Sequence, residues 1–529
     1  MSPQLQLSDY LVLSAYVLGI VLIGLYFSKK GSSTRDYLLA GRNIPWLAAS
    51  LSLFVALFSA ISFVSMPGEA YKNGIRLWLA EPVILCLIPL GMWMFVRFYY
   101  KLGSFTPYEY IERRFSSSVR AISSILFLMT RGLYLAIVLY ATSKIFSGAA
   151  GWSPVWTITG VSILVIFLTT IGGMKAVVWT NVVQFFVLVG GAAITAVILA
   201  SKVDGGFSGV YNFAFENGKG FNMDKSFFQF NPYERVTIWW LILAQLGAIL
   251  SQYATDQITI QQLLTTKNYK EAKRAAYSMM GIGVPVHALF WFLGLALFCF
   301  YHQSGKEIAE SVNLSGDEAF AYFVSTEMFA PLPGLVMAGL LAAVLSTLDS
   351  GVKSLSTVIN QDIYVRFFLK DNSEKDQMRK SHYFTLGCGV YMMIGALVIN
   401  WASQKGESTV FEVSAIWQSL NGIVLAIFIL GVMVTSVGRK TVFFSSVLGL
   451  LSLVAGVLYF YYLTPEDDRI SFIITGNIGL LVTLLVGVVC GFFYKFIFKL
   501  PADKRCNGLT LWSINNSCDN NDCDSERCL

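Results

Sequence analysis

Between Ala342 and Ser354 the chain reads Ala-Ala-Val-Leu-Ser-Thr-Leu-Asp-Ser-Gly-Val-Lys-Ser, inside a long apolar run. At about 100° per residue, Ala343, Ser346, Thr347, Ser350 and Ser354 share one helical face, and Leu345, Leu348 and Val352 take the opposite one. Asp349 lies at the edge of the polar stripe and Lys353 follows one turn later. Hydroxyls and carbonyls offer lone pairs, the donors a hard cation prefers. The same stripe of small residues also suits close packing of two helices in lipid. The chemistry is therefore either cation coordination or helix contact, and the elements around the stripe must distinguish them.

Composition identifies the solvent. The chain has 529 residues, 55% of them hydrophobic and only 13% charged, with a mean hydropathy of +0.61. Soluble domains carry nearly twice that share of charge, so most of this surface is expected to face lipid. The formal net charge of +6 comes from basic residues gathered in alternate loops, a membrane pattern rather than a nucleic-acid footprint. Residues 1–8 lack a basic leader and cleavage site, so the first apolar run is expected to be retained. Cys86, Cys299, Cys388 and Cys490 lie in apolar runs and read as small hydrophobes.

Runs long enough to span start near residues 9, 45, 78, 121, 155, 176, 236, 276, 332, 382, 409, 441 and 470, which predicts thirteen transmembrane helices of about 20 residues or more. Basic clusters such as Lys29, Lys30, Arg35 and Arg42, or Arg113, Arg114 and Arg120, fall on one side throughout. That places the N-terminus outside and the C-terminus inside. The loops at about 202–234 and 303–330 are long and are expected to hold short surface helices. In the second run Ser59 and Ser62 interrupt apolar sequence, and Pro67-Gly68 is expected to end the helix. The seventh run is interrupted by Ser251-Gln-Tyr-Ala-Thr-Asp-Gln257. Two broken helices five spans apart suggest an inverted five-plus-five repeat, with unwound carbonyls free to meet an ion.

The motifs Phe58-Ser-Ala-Ile-Ser-Phe63, Gly172-Gly173, Val177-Val-Trp-Thr-Asn-Val-Val-Gln184, Ala342 to Ser354 and Gln361-Asp-Ile-Tyr364 together resemble those of the sodium/solute symporters, from about residue 9 to 495. Lys202-Val-Asp-Gly-Gly206 and Val324-Ser-Thr-Glu-Met328 are most similar to the bacterial sialic acid branch. The resemblance implies an all-α polytopic protein with a LeuT-type core. The corresponding division is an extra helix and loop at 1–44, a first repeat at 45–201, an extracellular loop at 202–234, a second repeat at 235–436, two further helices at 437–497 and a tail at 498–529. It also implies sodium as coupling ion, a small organic solute as cargo, no organic cofactor, and residence in the plasma membrane (the inner membrane in a bacterium). Neither a nucleic acid nor an obligate protein partner is implied.

Carried over by position, the family's principal sodium site falls on the carbonyls of Val55, Phe58 and Ala343 and the hydroxyls of Ser346 and Thr347. A second site in part of the family needs the acid of a Trp-Thr-Asp motif. Here the sequence is Trp179-Thr180-Asn181, and Asp349, beside Ser350, stands where relatives commonly carry serine. Either the acid has moved and Asn181, Asp349 and Ser350 form a second cation site, or Asp349 pairs with Lys353 at i,i+4, or it serves solute or proton coupling. The solute pocket of the family falls on Ser59, Ser62, Glu81, Arg131, Tyr134, Gln252, Tyr253 and Gln418. Glu81 matches a sugar-binding glutamate of the sugar carriers. Leu57 replaces a polar pocket residue, Gly283 stands near the lysine of the sugar carriers, and Tyr134 replaces the arginine that holds the carboxylate in sialic acid carriers. Arg131, one turn earlier and roughly 16 Å into its span, either contacts solute or is held by an acid; Tyr253 is pocket or core.

The implied function is sodium-driven import of a sugar or a sugar acid such as sialic acid, with a monocarboxylate or another small solute as the alternative. An intramembrane enzyme or sensor fits less well. His287, His302 and His382 have no metal-ligand spacing, and His287 reads as a satisfied core residue. The tail carries Cys506, Cys518, Cys523 and Cys528 among Asn and Asp; its composition predicts disorder, and its regular spacing is not that of the usual zinc pairs.

Overall fold

The computed structural model describes residues 5–28, 33–231, 236–303, 316–368, 374–403, 420–464, 472–498 and 509–514. Within them the protein is a bundle of helices. Eight are long and apolar enough to cross a membrane, or up to ten if each sharply bent pair counts as one span. In lipid, a helix is the structure that satisfies every backbone N–H and C=O within its own segment. Large apolar side chains such as Leu22, Trp156, Phe186 and Leu485 point outward and are exposed, as expected where the surrounding medium is hydrocarbon.

Helix α1 (Leu7–Ser28) is followed by the short α2 (Thr34–Leu39), α3 (Trp46–Leu57) and α4 (Ala60–Asn73). The second apolar run is thus broken, at Phe58 and Ser59 rather than at Pro67-Gly68. Phe58 leaves helical geometry with ψ 94°, and the Ser59 hydroxyl caps α4 by accepting the Ser62 N–H at 3.2 Å. Pro67 lies inside α4, correcting the expectation that it ends the helix. The space around it is used for packing: a side chain on Gly294 would run into the Pro67 carbonyl and the Ala70 side chain.

The chain continues through α5 (Ala80–Gly91), α6 (Tyr108–Arg114), α7 (Ser117–Ala150) and α8 (Pro154–Ser201). Helix α8 has 48 residues but departs from helical geometry at Gly173, with φ 63°. Glycine is required there because that φ disfavours a side chain, and because the Tyr37 ring occupies the space a Cβ would need. Helices α9 (Ile238–Ala254) and α10 (Gln257–Leu264) form the second broken element, bent by 54°. The remaining long helices are α11 (Tyr269–Gln303), α12 (Leu332–Val358) and α13 (Glu374–Ser403), followed by α14 (Leu420–Met433), α15 (Arg439–Val457) and α16 (Phe472–Phe498). Short helices Gly206–Glu216 and Gly316–Glu327 occupy the two long loops.

Helix α12 is the centre of the bundle. Its apolar window is 94% buried, and it packs on α8, α1, α7 and α3. Asp9 of α1 accepts the Gly334 N–H at 2.8 Å, so the first helix caps the N-terminus of the central one, where a carboxylate meets the positive end of the helix dipole.

Candidate functional site beside a broken helix

The break in α3–α4 sets the geometry. In a continuous helix the Val55 carbonyl would accept the N–H four residues on, and the non-helical turn at Phe58 and Ser59 disrupts that pattern. Ser346 of α12 fills the need. Its hydroxyl lies 3.0 Å from the Val55 carbonyl and 3.0 Å from the Ala343 carbonyl. Phe58 turns its own carbonyl out of the helical ladder. The Thr347 hydroxyl is buried and has no hydrogen-bond partner. Val55, Ala343 and Ser346 are thus joined at one point, next to Phe58 and Thr347 in sequence, with buried oxygens directed away from lipid.

Around the stripe the structure is more specific than the sequence. The Asn181 amide nitrogen donates to the Ser52 hydroxyl at 3.0 Å and to the Ser350 hydroxyl at 3.2 Å. Gln262 joins the same ring: its Oε1 accepts from Ser52 at 2.9 Å, and its Nε2 donates to Ser350 at 3.3 Å. Asn181 therefore meets Ser350, the neighbour of Asp349, and no hydrogen bond joins Asn181 to Asp349. Both carboxylate oxygens of Asp349 are buried without a hydrogen bond, as are the Asn181 carbonyl and both polar atoms of Gln184. Tyr16 of α1 lies beside Gln184 and within electrostatic reach of Asp349.

The Asp349–Lys353 alternative is not what forms. No ion pair joins the two among the described residues; the Lys353 ammonium lies over the Tyr37 ring, 2.9 Å from its centroid. Geometrically, i,i+4 spacing permits a pair without requiring it. Here the ring of Tyr37 offers the cation an attractive face, and Tyr37 is itself held by hydrogen bonds to the Thr170 carbonyl and the Thr385 hydroxyl.

The expected pocket residues fall into three groups. Ser59 and Ser62 lie 3.3 Å apart at the start of α4. Glu81, near the start of α5, is buried, and its Oε1 is 2.7 Å from Nδ1 of His287 on α11, while its Oε2 has no partner. Arg131 reaches Asp256 at 3.6 Å, and its guanidinium lies over the Tyr134 ring at 4.8 Å. Asp256 also caps α10, accepting from the Thr259 hydroxyl and N–H, so the acid at the second break serves two partners. The Arg131 Nε is buried and unpartnered. Glu81 and Arg131 thus each meet a partner inside the bundle, as the cost of a charge in hydrocarbon favours.

Tyr253 is fully buried and its ring packs against Gly91, which makes it core; Gln252 beside it is half-buried. Gln418 and the four tail cysteines lie outside the described residues. Residues 509–514 of the tail are described and depart from the expected disorder, forming the short helix Leu511–Ile514. It is docked by the Trp512 indole N–H on the Met433 carbonyl at 2.7 Å and by the Tyr110 hydroxyl on the Leu509 carbonyl at 2.8 Å. Sequence reasoning missed Ser52, Gln262, Asp256 and His287. Asp256 stands within the polar interruption already singled out and carried a readable signal. His287, expected to be a satisfied core residue, is half-buried and satisfied by Glu81, a partner that the sequence did not name.

A model of the sodium:solute symporter family matches residues 37–449. The sodium/sialic acid symporter SiaT of Proteus mirabilis is 27% identical over 91% of this chain and 94% of its own. The human sodium-coupled monocarboxylate transporter 1 is 28% identical over 85% of this chain and 72% of its own. Among solved structures, a Na+-coupled sialic acid symporter in a substrate-bound, outward-open state superposes with a TM-score of 0.83 at 27% identity, covering 94% of this chain and 99% of that one. A family match across most of the chain, on a helical bundle centred on a hydroxyl-bearing helix beside a broken one, leads to one conclusion: the chain belongs to the sodium:solute symporter family and is a multi-pass membrane protein that carries a solute together with sodium.

Proposed function

We propose that the protein imports a sugar or a sugar acid of the sialic acid type by sodium-driven alternating access, and that it transports without catalysing a reaction. The observation that carries this is the meeting of the Val55 carbonyl, the Ala343 carbonyl and the Ser346 hydroxyl at the α3 break. With the Phe58 carbonyl and the Thr347 hydroxyl these supply five neutral oxygens to replace water around a sodium ion. The solute lies above them: Glu81 Oε2, a buried acceptor without a donor, takes a solute hydroxyl, and Ser59 and Ser62 line the same break. Arg131, through its free Nε, receives the carboxylate of a sugar acid.

The second cation site lies at Asp349 and Ser350. A carboxylate that deep without a partner is costly to ionise, so the cation that neutralises it also holds it in place. Counting α8 as two spans at Gly173, each broken pair as one and α14 and α16 as one each gives thirteen spans. In this reading a five-plus-five inverted repeat, 45–201 and 235–436, follows the extra helix within 1–44 and precedes two helices at 437–497, with the N-terminus outside and the C-terminus inside, as the basic loops favour.

The test is uptake into proteoliposomes under an inward sodium gradient, using labelled N-acetylneuraminic acid, D-galactose and pyruvate. Accumulation of a sugar or sugar acid that collapses with the sodium gradient, and falls at least tenfold in Glu81→Gln, is the expected result. Accumulation of pyruvate alone, or of none of the three, overturns the solute class.

A further inference from the structure

The pair of Glu81 and His287 touches the sodium turn as well as the solute pocket. His287 Nδ1 and Glu81 Oε1 form a hydrogen bond at 2.7 Å, to which the imidazole contributes the donor in its Nδ1–H tautomer. The same imidazole packs on two rings of the last turn of α3, Phe54 at 5.5 Å and Phe58 at 5.9 Å between centroids. Those residues bracket Val55. The turn under the imidazole therefore contains two of the carbonyls assigned to sodium, and one of them, on Val55, is already engaged by Ser346.

We propose that His287 is the positioning residue that couples solute to sodium: it aligns Glu81 for a solute hydroxyl and, through its ring contacts with Phe54 and Phe58, fixes the end of α3 that presents the sodium carbonyls. This rests on the reading of the α3 break as the sodium site. A hydroxyl donating to Glu81 Oε2 immobilises the carboxylate, the carboxylate immobilises the imidazole, and the imidazole holds the turn. Because coupling between two bound species is reciprocal, sodium must tighten solute binding by the factor with which solute tightens sodium binding.

Two variants separate the two contacts. His287→Phe keeps a ring against Phe54 and Phe58 and loses the bond to Glu81; His287→Asn keeps a donor near the Nδ1 position and loses the ring. The readout is equilibrium binding of 22Na+ to the purified full-length protein, without solute and then with N-acetylneuraminic acid or D-galactose. Without solute, His287→Asn is expected to need at least fivefold more sodium for half-saturation, and His287→Phe to stay within about twofold of the wild type. With solute, His287→Phe loses the sodium-affinity gain that the wild type shows. Should the Asn variant not fold, His287→Gln takes its place with the same expectation.

Equal 22Na+ binding by the Phe and Asn variants, whether both normal or both weakened, overturns the proposal, because a residue that only fills space does not distinguish its two contacts. The solute-free arm decides this even if neither sugar binds, a result that would strike the solute class alone. Normal 22Na+ binding by Ser346→Ala would strike the sodium site itself, and this inference with it.

Discussion

Ser346 and Thr347 are neighbours with different tasks in the fold, and that difference can be measured. Ser346 already spans two carbonyls, so on the proposed sodium site Ser346→Ala removes an ion ligand and also leaves the Val55 carbonyl without its donor. Thr347 has no protein partner, so Thr347→Ala removes only the ligand. A lost buried polar contact is worth about 1–3 kcal/mol, which predicts a rise of roughly 5- to 150-fold in the sodium concentration for half-maximal uptake, larger for Ser346→Ala. Thr347→Ser, which keeps the hydroxyl, should stay near wild type. Sodium titration of uptake in proteoliposomes checks all three; wild-type sodium dependence in both alanine variants would remove the two hydroxyls as ligands.

Helices are held in register here by features that single residues announce unevenly. The hydroxyl stripe of α12 was legible because polar residues in an apolar run are conspicuous, and the interruption at Ser251 to Gln257 was legible for the same reason. Pro67 misled, because a proline inside a membrane helix does not end it where neighbouring helices support the backbone; its carbonyl and Ala70 instead abut Gly294. Gly294→Ala should therefore cost about 1–3 kcal/mol, read as a lower melting temperature with the sodium dependence of residual uptake retained. The partnership of Glu81 and His287 was not legible: 206 positions separate them, and no local pattern pairs an acid with a distant histidine. On the loop-facing side, Glu112 of α6 bonds Arg120 and Arg366, each at 2.6 Å. Burial opposes ionisation of Glu112, but the hydrogen bonds and charges of the two arginines outweigh it and hold its pKa below the usual value. A depressed folded-state pKa stabilises the fold above the unfolded pKa, about 4.3, and the contribution is lost as pH falls through the folded value. After solvent screening it is worth no more than about 1 kcal/mol. Melting curves of wild type and Glu112→Gln should differ by a constant gap from about pH 7 to 5 and converge as pH falls from the unfolded pKa through the lower folded one; a gap that widens in acid would reverse the assignment.

For the whole transporter the decisive quantity is how many charges cross per cycle. One sodium ion moving through 100 mV releases about 2.3 kcal/mol, and a tenfold concentration ratio adds about 1.4 kcal/mol. At one ion per neutral solute the sum sustains a gradient of roughly 500-fold, and a second ion squares it; an anionic solute spends part of the voltage term. On the proposed second cation site, Asp349 decides between these regimes. Its carboxylate has no hydrogen bond, Lys353 is turned to Tyr37, and the hydrogen-bonded ring of Asn181, Ser52, Gln262 and Ser350 lies immediately beside it. If the acid lost at Asn181 is replaced by the one gained at Asp349, Asp349→Ser should move the reversal potential at a fixed solute ratio from the two-ion to the one-ion value. Adding Asn181→Asp should restore it, because the new carboxylate reaches the same Ser350 hydroxyl that the amide now holds. Lys353→Met should not restore it, since no ion pair joins Lys353 to the acid. A two-ion reversal potential that survives Asp349→Ser would exclude the acid from ion binding, and rescue by Lys353→Met but not by Asn181→Asp would make it the partner of the lysine in another conformation of the cycle.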